Sequence, residues 1–363
     1  MLSNPELIPL SGMNQEHRIF MDRCLQLAQL GAGQTAPNPL VGAILVHEEK
    51  IIGEGYHKIY GGPHAEVNCI HSVSKENQPK ISHATLYVSL EPCAHTGKTP
   101  PCSDLIIREK IPRVVIGCRD PFPEVDGKGI EKLSSQGVEL LYPILEKESR
   151  QVNRRFIRFH ESKRPYIILK WARSSDGKIA PDSGKRLVIS NKFSNRLVHK
   201  WRSEEAGILV GSGTVVMDNP LLTTRLWPGK NPVRILIDRK NAVPVSLSVF
   251  NPSAPTIIFN YEKESKINNL HFKKTDPHKN ILQEVMTGLY NENILSILVE
   301  GGAQILNLFI EAGLWDEARV ITNNQLQIGR GLSAPELTFS RLIKSTNYFS
   351  DSIAYYMNEK FMI

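Results

Sequence analysis

The chain has 363 residues, 41% of them hydrophobic, and 44 Lys and Arg against 37 Asp and Glu give it a net charge of +7. That length exceeds what one hydrophobic core usually serves, so two domains are expected, divided here as 1–150 and 151–363. No apolar run approaches a bilayer span and the first twenty residues lack the pattern of a signal peptide, so a cytoplasmic location with no membrane partner is expected. The basic residues are scattered, which argues against a nucleic-acid partner. In chain order, 14–31 reads as a helix carrying Ile19, Phe20, Leu25, Leu27, Ala28 and Leu30 and stopped by Gly31. Residues 41–46 and 51–55 read as a hairpin, a helix opens at His64, and 85–90 is a β-branched strand delivering Glu91-Pro92-Cys93. A helix over 102–110, a strand over 113–118, a helix near 129–136 and a strand over 138–141 complete a layered α/β sandwich. The basic cluster Arg150, Arg154, Arg155, Arg158, Lys163 and Arg164 reads as a solvated linker helix in preference to a phosphate-backbone patch. Beyond it, strands over 166–172, 207–210, 233–237, 256–259, 294–299 and 318–321 alternate with helices near 191–204, 280–291 and 303–312, the spacing of crossover units in a mostly parallel sheet.

The chemistry is concentrated in His64-Ala65-Glu66, Pro92-Cys93 and Cys102. A structural zinc is usually closed by four side chains, whereas a catalytic zinc keeps three and leaves the fourth position to water. His64, Cys93 and Cys102 make three. H-x-E…P-C-x-x-C is the signature of zinc deaminases, whose Glu moves protons and does not bind the metal. Glu66 stands at that position; its alternative is an exposed first-turn acid that complements the helix dipole. Eight residues, 94–101, separate the two cysteines where the signature has two, so a loop must fold back, and Gly97, Pro100 and Pro101 suit its turns. His95 and Lys98 stand at the rim of that loop, as donors to an anionic substrate or as solvated side chains. Helix starts at His64 and Cys102 favour a thiolate, and zinc acidifies its water towards a pKa of about 7. Asn38, between two prolines, offers an amide to a heterocycle edge or serves turn chemistry alone, and His57 is open in the same way. Cys24, Cys69 and Cys118 have apolar neighbours and read as buried thiols. Glu300-Gly301-Gly302-Ala303 lies where a strand meets a helix, as a tight turn or as a place where a pyrophosphate meets helix-start amides.

Thr35-Ala36-Pro37-Asn38-Pro39-Leu40-Val41-Gly42, Gly55-Tyr56-His57, His64-Ala65-Glu66 and the run from Glu91 to Cys102 together resemble the deaminase half of the bifunctional riboflavin-biosynthesis deaminase/reductase family. The long loop between the cysteines suits that branch, since relatives acting on free nucleosides or nucleic acid keep the two-residue gap. The runs from Lys170 to Lys178, Gly211 to Pro220, Leu222 to Arg225 and Val299 to Gly302 resemble, in order, its reductase half. The resemblance covers roughly 16–330, and the last thirty or so residues match no motif.

The resemblance implies an α/β fold, a cytidine-deaminase-like three-layer sandwich followed by a dihydrofolate-reductase-like domain. It implies Zn2+ and NADPH as cofactors and a phosphorylated pyrimidine as substrate. The implied reactions are hydrolytic deamination of 2,5-diamino-6-ribosylamino-4(3H)-pyrimidinone 5′-phosphate, then reduction of its ribosyl group to ribityl. By position, Asn38, His57, His95 and Lys98 would hold the deaminase substrate and Glu66 would move the proton. Ala172, Val188, Thr214, Asp218, Gly302, Ala303 and Gln304 would line NADPH, and Lys170, Arg186, Arg202, Leu222, Arg225 and Glu300 would hold the reductase substrate. Where family members usually read Gly-Glu-Ser-x-Trp-Ile-Thr, this chain has Gly184-Lys185-Arg186-Leu187-Val188-Ile189-Ser190. A substrate-facing Ser is thereby replaced by Arg186 and a cofactor-facing Trp by Val188. Two other readings compete. A nucleic-acid base deaminase with an RNA-binding half is opposed by the cysteine spacing and scattered charge. A zinc-stabilised binding protein is opposed by the open coordination position beside Glu66. Homo-oligomerisation is left open.

Overall fold

The computed structural model describes residues 13–97, 100–184 and 187–361, and the chain divides after His160 into two units. The first contains α1 (Met13–Gln29), β1 (Gly42–His47), β2 (Lys50–Tyr56), α2 (Ala65–His71), β3 (Thr85–Leu90), α3 (Cys102–Arg108), β4 (Arg113–Cys118), α4 (Lys128–Ser135), β5 (Glu139–Leu141) and α5 (Glu146–Val152). The division falls within α6 (Arg154–Ser162). The strands form one sheet in the order β2-β1-β3-β4-β5, with β1 antiparallel to β2 and β3, and β3, β4 and β5 parallel.

The two-residue period of the strands makes the layers. Ala43, Leu45, Leu86, Val88, Val114 and Ile116 pack with apolar residues of α2, α3 and α4. The alternate residues Ile44, Val46, Tyr87 and Val115 pack with Phe20, Met21, Cys24, Leu25 and Leu27 of α1. The result is the three-layer sandwich implied by the resemblance, and Cys24, Cys69 and Cys118 lie buried as free thiols.

The basic stretch 147–164 is helical, as its reading as a linker helix expected, but part of it is buried and not solvated. It folds as α5 and α6, and Phe156, Ile157, Arg158 and Phe159 of α6 are buried. Arg164 is buried too, its Nη1 and Nη2 donating to the two carboxylate oxygens of Asp316 at 2.6 and 2.9 Å. A guanidinium leaves water only for such a bidentate partner, and this one is 152 residues away in the chain.

The second unit runs β6 (Tyr166–Ser174), β7 (Lys178–Pro181), α7 (Lys192–Glu204), β8 (Gly207–Gly211), α8 (Ser212–Asp218), β9 (Val233–Ile237), β10 (Thr256–Asn260), β11 (Ser265–Ile267) and β12 (Leu270–Lys274). It continues with α9 (Ile281–Asn291), β13 (Ser296–Val299), α10 (Ala303–Glu311), β14 (Glu317–Asn323), β15 (Gly331–Ser333), β16 (Ser340–Tyr348) and β17 (Asp351–Asn358). Ten strands form a sheet in the order β11-β12-β10-β9-β8-β13-β6-β14-β17-β16. The seven from β12 to β14 are parallel, and β11, β17 and β16 are antiparallel edges. A parallel sheet covered on both faces needs near-continuous apolar strands, and 167–169, 208–210 and 235–237 are buried throughout. α9 and α10 pack on one face. Val198 and Trp201 of α7 and Val215 of α8 pack on the other. Asn191 and Asn280 cap α7 and α9 by accepting first-turn amides. Residues 340–358, which match no sequence motif, form the hairpin β16–β17 that extends the sheet from β14. Among the described residues, no helix is long and apolar enough to cross a membrane.

Candidate active sites of the two units

His64 caps α2 from an extended backbone (φ −72°, ψ 169°) and Cys102 is the first residue of α3, so both face the positive ends of helices. Cys93 follows β3 on the loop that returns to α3. The donor atoms of His64, Cys93 and Cys102 lie within 4.8 Å of one another, the one group of three or more such side chains placed to share an ion among the described residues. His64 Nδ1 stands 3.6 Å from Cys93 Sγ and 3.3 Å from Cys102 Sγ, and the Cys102 backbone N–H donates to Cys93 Sγ at 3.3 Å. Hydrogen bonds from the Cys102 thiol, then from His64 and the Cys102 amide, overcome burial and hold Cys93 well below the usual thiol range. Negative charge therefore gathers where thiolate ligation requires it. One imidazole and two thiols fit zinc in charge and softness and leave a fourth position open.

Glu66 lies in the first turn of α2 and is only 3% exposed, so the reading as a solvent-facing helix acid fails. Burial pushes its carboxyl above the ordinary range, the negative charge of Cys93 adds to this, and His64 opposes it. A carboxyl raised in this way can take and return a proton nearer neutrality.

Asn38 and His57 are brought to the same place. His57 Nδ1 is 3.0 Å from the Pro63 carbonyl, which only accepts, so Nδ1 carries the proton and Nε2 receives the Asn38 amide at 3.1 Å. Burial lowers the His57 pKa, which keeps that tautomer neutral. Its ring stands edge-on to His64 with centroids 5.4 Å apart. His95 Nε2 lies 3.9 Å from Glu124 and the ring meets Phe122 edge-on, while His95 Nδ1 is buried with no hydrogen-bond partner among the described residues. Lys98 lies outside the described residues.

Sequence reasoning gave Glu91 no role. Its buried carboxylate accepts the amides of Gly129 and Ile130 on Oε1 and of Gly127 and Asp120 on Oε2, at 2.9 to 3.3 Å. It thereby pins the segment carrying Phe122 and Glu124 next to the Pro92-Cys93 turn. Backbone amides as partners have no sequence signature, so the sequence offered no sign of this role.

In the second unit the parallel strands β6, β8 and β13 end at one edge of the sheet, where ligands bind in open α/β folds. Lys170 of β6 donates to Glu300 Oε2 at 3.2 Å, and Arg202 of α7 grips both Glu300 oxygens at 2.7 and 2.9 Å. Burial alone would raise Glu300, but Arg202 and Lys170 outweigh it and bring its pKa down to about 2. Arg202 also reaches the Thr223 carbonyl at 3.3 Å, and the Arg225 guanidinium donates to the Thr223 hydroxyl at 3.0 Å. Leu222 is buried beside them in the sequence, with φ +54°.

Gly302 caps α10, and its N–H donates to the Thr214 hydroxyl at 3.0 Å. Gly301 has a local steric cause, because a Cβ there would fall 1.7 Å from Ile305 Cγ2. Ala303 and Gln304 begin α10 and Asp218 ends α8, one turn beyond Thr214. Ala172 follows Lys170 on β6, and Val188 is 74% exposed in the segment before α7. Arg186 lies outside the described residues. The helix start at Gly302, where an added Cβ would meet only the Thr214 hydroxyl at 3.5 Å, fits a nucleotide cofactor.

The first unit thus has the make-up of a zinc-dependent deaminase and the second that of a nucleotide-dependent reductase. Residues 14–118 match the cytidine and deoxycytidylate deaminase zinc-binding region, and residues 165–326 match the RibD C-terminal domain. The riboflavin biosynthesis protein RibD of Aquifex aeolicus is 41% identical over 327 residues, covering 88% of this chain and 89% of that protein. The RibD of Escherichia coli is 36% identical over 316 residues, 82% and 85% of the two chains. A solved Thermotoga maritima structure, described as a diaminohydroxyphosphoribosylaminopyrimidine deaminase and 5-amino-6-(5-phosphoribosylamino)uracil reductase, superposes with a TM-score of 0.86 at 36% identity, covering 96% of this chain and all of that one. The chain belongs to the RibD family: it is a bifunctional deaminase and reductase of riboflavin biosynthesis, with zinc and NADPH as its cofactors.

Proposed function

We propose that the two units act in succession on one phosphorylated pyrimidine. The first exchanges the 2-amino group of 2,5-diamino-6-ribosylamino-4(3H)-pyrimidinone 5′-phosphate for oxygen, consuming water and releasing ammonia. The second turns the ribosyl group of the product into ribityl, taking up a hydride and a proton. The observation that carries this reading is buried Glu66 beside three converging metal-type donors.

His64, Cys93 and Cys102 hold the zinc. When bound, zinc acidifies water and makes hydroxide available at neutral pH. Glu66 takes the proton of the attacking water, delivers it to the ring nitrogen next to the carbon under attack, and then passes a proton to the departing ammonia. Asn38, fixed by its bond to neutral His57, offers its amide oxygen to the heterocycle edge. His95, whose buried Nδ1 calls for a partner, and Lys98 take the anionic end of the substrate.

In the reductase, NADPH supplies the hydride when bound. Thr214, Asp218 and the Gly302-Ala303-Gln304 helix start hold its polar groups, while Ala172 and Val188 flank it. Lys170, held by Glu300, orients the ribose, and Arg202, Leu222, Arg225 and Arg186 frame the phosphorylated end. A phosphorylated substrate and NADPH make this a cytoplasmic enzyme with no need of a nucleic-acid partner. Incubating the purified protein with the diaminopyrimidine phosphate, with and without NADPH, tests the reading by mass analysis. The expected products are the ribityl compound with NADPH and the deaminated ribosyl compound without it. Ammonia release that requires NADPH, or none in either case, overturns the order of steps.

A further inference from the structure

The segment between α8 and β9 carries Leu222 and Arg225, and it lies along one stripe of α7 made of Arg196, His199, Lys200, Arg202 and Ser203. Its conformation is costly, since Asn219 and Leu222 hold left-handed backbone angles of φ +41° and +54°, which non-glycine residues adopt only when their surroundings enforce it. The enforcement is visible at four places along the helix. The Trp227 ring lies under the Arg196 guanidinium and the Lys200 ammonium, 5.7 and 5.6 Å from its centroid. Gly229, at φ +143°, comes so near that an added Cβ would fall 2.6 Å from Ser203 Cβ. Arg202 holds the Thr223 carbonyl at 3.3 Å. His199, only 2% exposed, accepts the Arg225 backbone N–H on Nδ1 at 2.9 Å.

We propose that His199 is a positioning residue of the reductase: by accepting the Arg225 amide it locks the 219–231 segment onto α7 and sets the direction from which Arg225 meets the phosphorylated substrate. This rests on the reading of Arg225 as a substrate-binding residue. The bond requires a neutral ring with its proton on Nε2. Burial first, then the cations of Arg202, Arg225 and Lys170 against the opposing charge of Glu300, bring the His199 pKa to about 4 and supply that state at neutral pH. A residue that acts only through the free-enzyme loop geometry changes binding of ground state and transition state alike, so its loss is felt in KM.

The test uses the full-length zinc-loaded protein and the deaminated phosphorylated substrate. His199→Leu, which removes the acceptor, is expected to raise KM for that substrate about tenfold, the cost of one well-placed hydrogen bond. Its kcat, its Kd for NADPH and its ammonia release should stay within about twofold. His199→Asn, whose Oδ1 can take the place of Nδ1, should recover most of the loss. An unchanged KM in His199→Leu overturns the inference, as does an Asn variant that keeps its fold yet binds no better than Leu. Arg225→Ala separates the two levels of argument. If it leaves KM unchanged, the substrate-site reading falls and this inference with it; if it raises KM while His199→Leu does not, the inference alone falls. Should neither histidine variant fold, the wild-type protein labelled with 15N-histidine decides: an unprotonated His199 Nδ1 at pH 7 supports the bond and a protonated one rules it out.

Discussion

In the first unit, His64, Cys93 and Cys102 bring their donors within 4.8 Å, with the Cys93 thiol held low by hydrogen bonds from Cys102 and His64, a donor set that suits a metal cation. In the second, Lys170 and Arg202 already meet their counter-charge in Glu300, at 3.2 and 2.7 Å. One site is a donor set that a metal completes, and the other is closed by its own ion pairs. The difference teaches where each activity is vulnerable. The deaminase depends on a component the chain does not make, so chelation should remove it. The reductase site is held by its own ion pairs and should survive chelation, so the two activities of one chain should fail separately.

The largest break in that comparison comes from Glu66→Gln. The amide keeps shape and burial but cannot take a proton, so ammonia release should fall by about 10²–10⁴-fold, with one zinc per chain retained by metal analysis. Reduction of supplied deaminated intermediate should be unchanged. Near-normal ammonia release would remove Glu66 from the chemistry. Lys170→Ala is the mirror experiment, with a loss of NADPH oxidation of about 10²-fold. Ammonia should still appear, and the deaminated, unreduced compound should accumulate by mass. A parallel loss of ammonia in this variant would mean that the two sites are not independent.

The first site was legible because its parts are near in sequence and because metal ligation demands particular residue types. His64, Glu66, Cys93 and Cys102 could be assigned roles from residue type and order, even though the gap between the cysteines departs from the two-residue signature. Glu91 could not, because its four partners are backbone amides of 120–130. The second site is harder for the same physical reason. Lys170 and Glu300 are 130 residues apart and meet only because β13 inserts between β8 and β6, a pairing that apolar strand runs do not encode. Resemblance supplied those roles; periodicity supplied only the strands. Arg164 was misread as solvated because nothing local reveals a partner as remote as Asp316. The hairpin β16–β17 went unread because β16 is mostly exposed, so its sequence lacks the alternation of a half-buried strand.

The closed reductase site makes a stability prediction with a definite sign. Glu300 has its pKa lowered from 4.5 to about 2, so its charge contributes stability that is fully present above the unfolded value and is lost as pH falls through the folded one. The shift is equivalent to about 3 kcal/mol. Glu300→Gln also leaves Lys170 and Arg202 without their anion, which points the same way. The second unit of the variant should therefore melt earlier than wild type at pH 7, and the gap should narrow as pH falls from 4.5 towards 2, where wild type too loses the charge. A gap that stays constant over that range would show that the Glu300 charge is not what closes the site.

The smallest effect sharpens the contrast on the cofactor side. The resemblance places an aromatic ring where this chain has Val188, and Val188 is 74% exposed, so a larger side chain there displaces no packed neighbour. With the ring missing, the proposed site would hold NADPH chiefly through its polar groups at Thr214, Asp218 and the α10 helix start, where phosphate can meet backbone amides. Val188→Trp restores a stacking face, worth about 0.5–1.5 kcal/mol for an aromatic pair, and should tighten the NADPH Kd by roughly two- to tenfold in a fluorescence titration. Because stacking on the cofactor does not touch the ion pairs of Glu300, KM for the phosphorylated substrate should not move, and ammonia release should not either. A Trp variant with unaltered NADPH affinity would mean that position 188 points away from the cofactor in this chain, and that the reductase site is closed by charge alone.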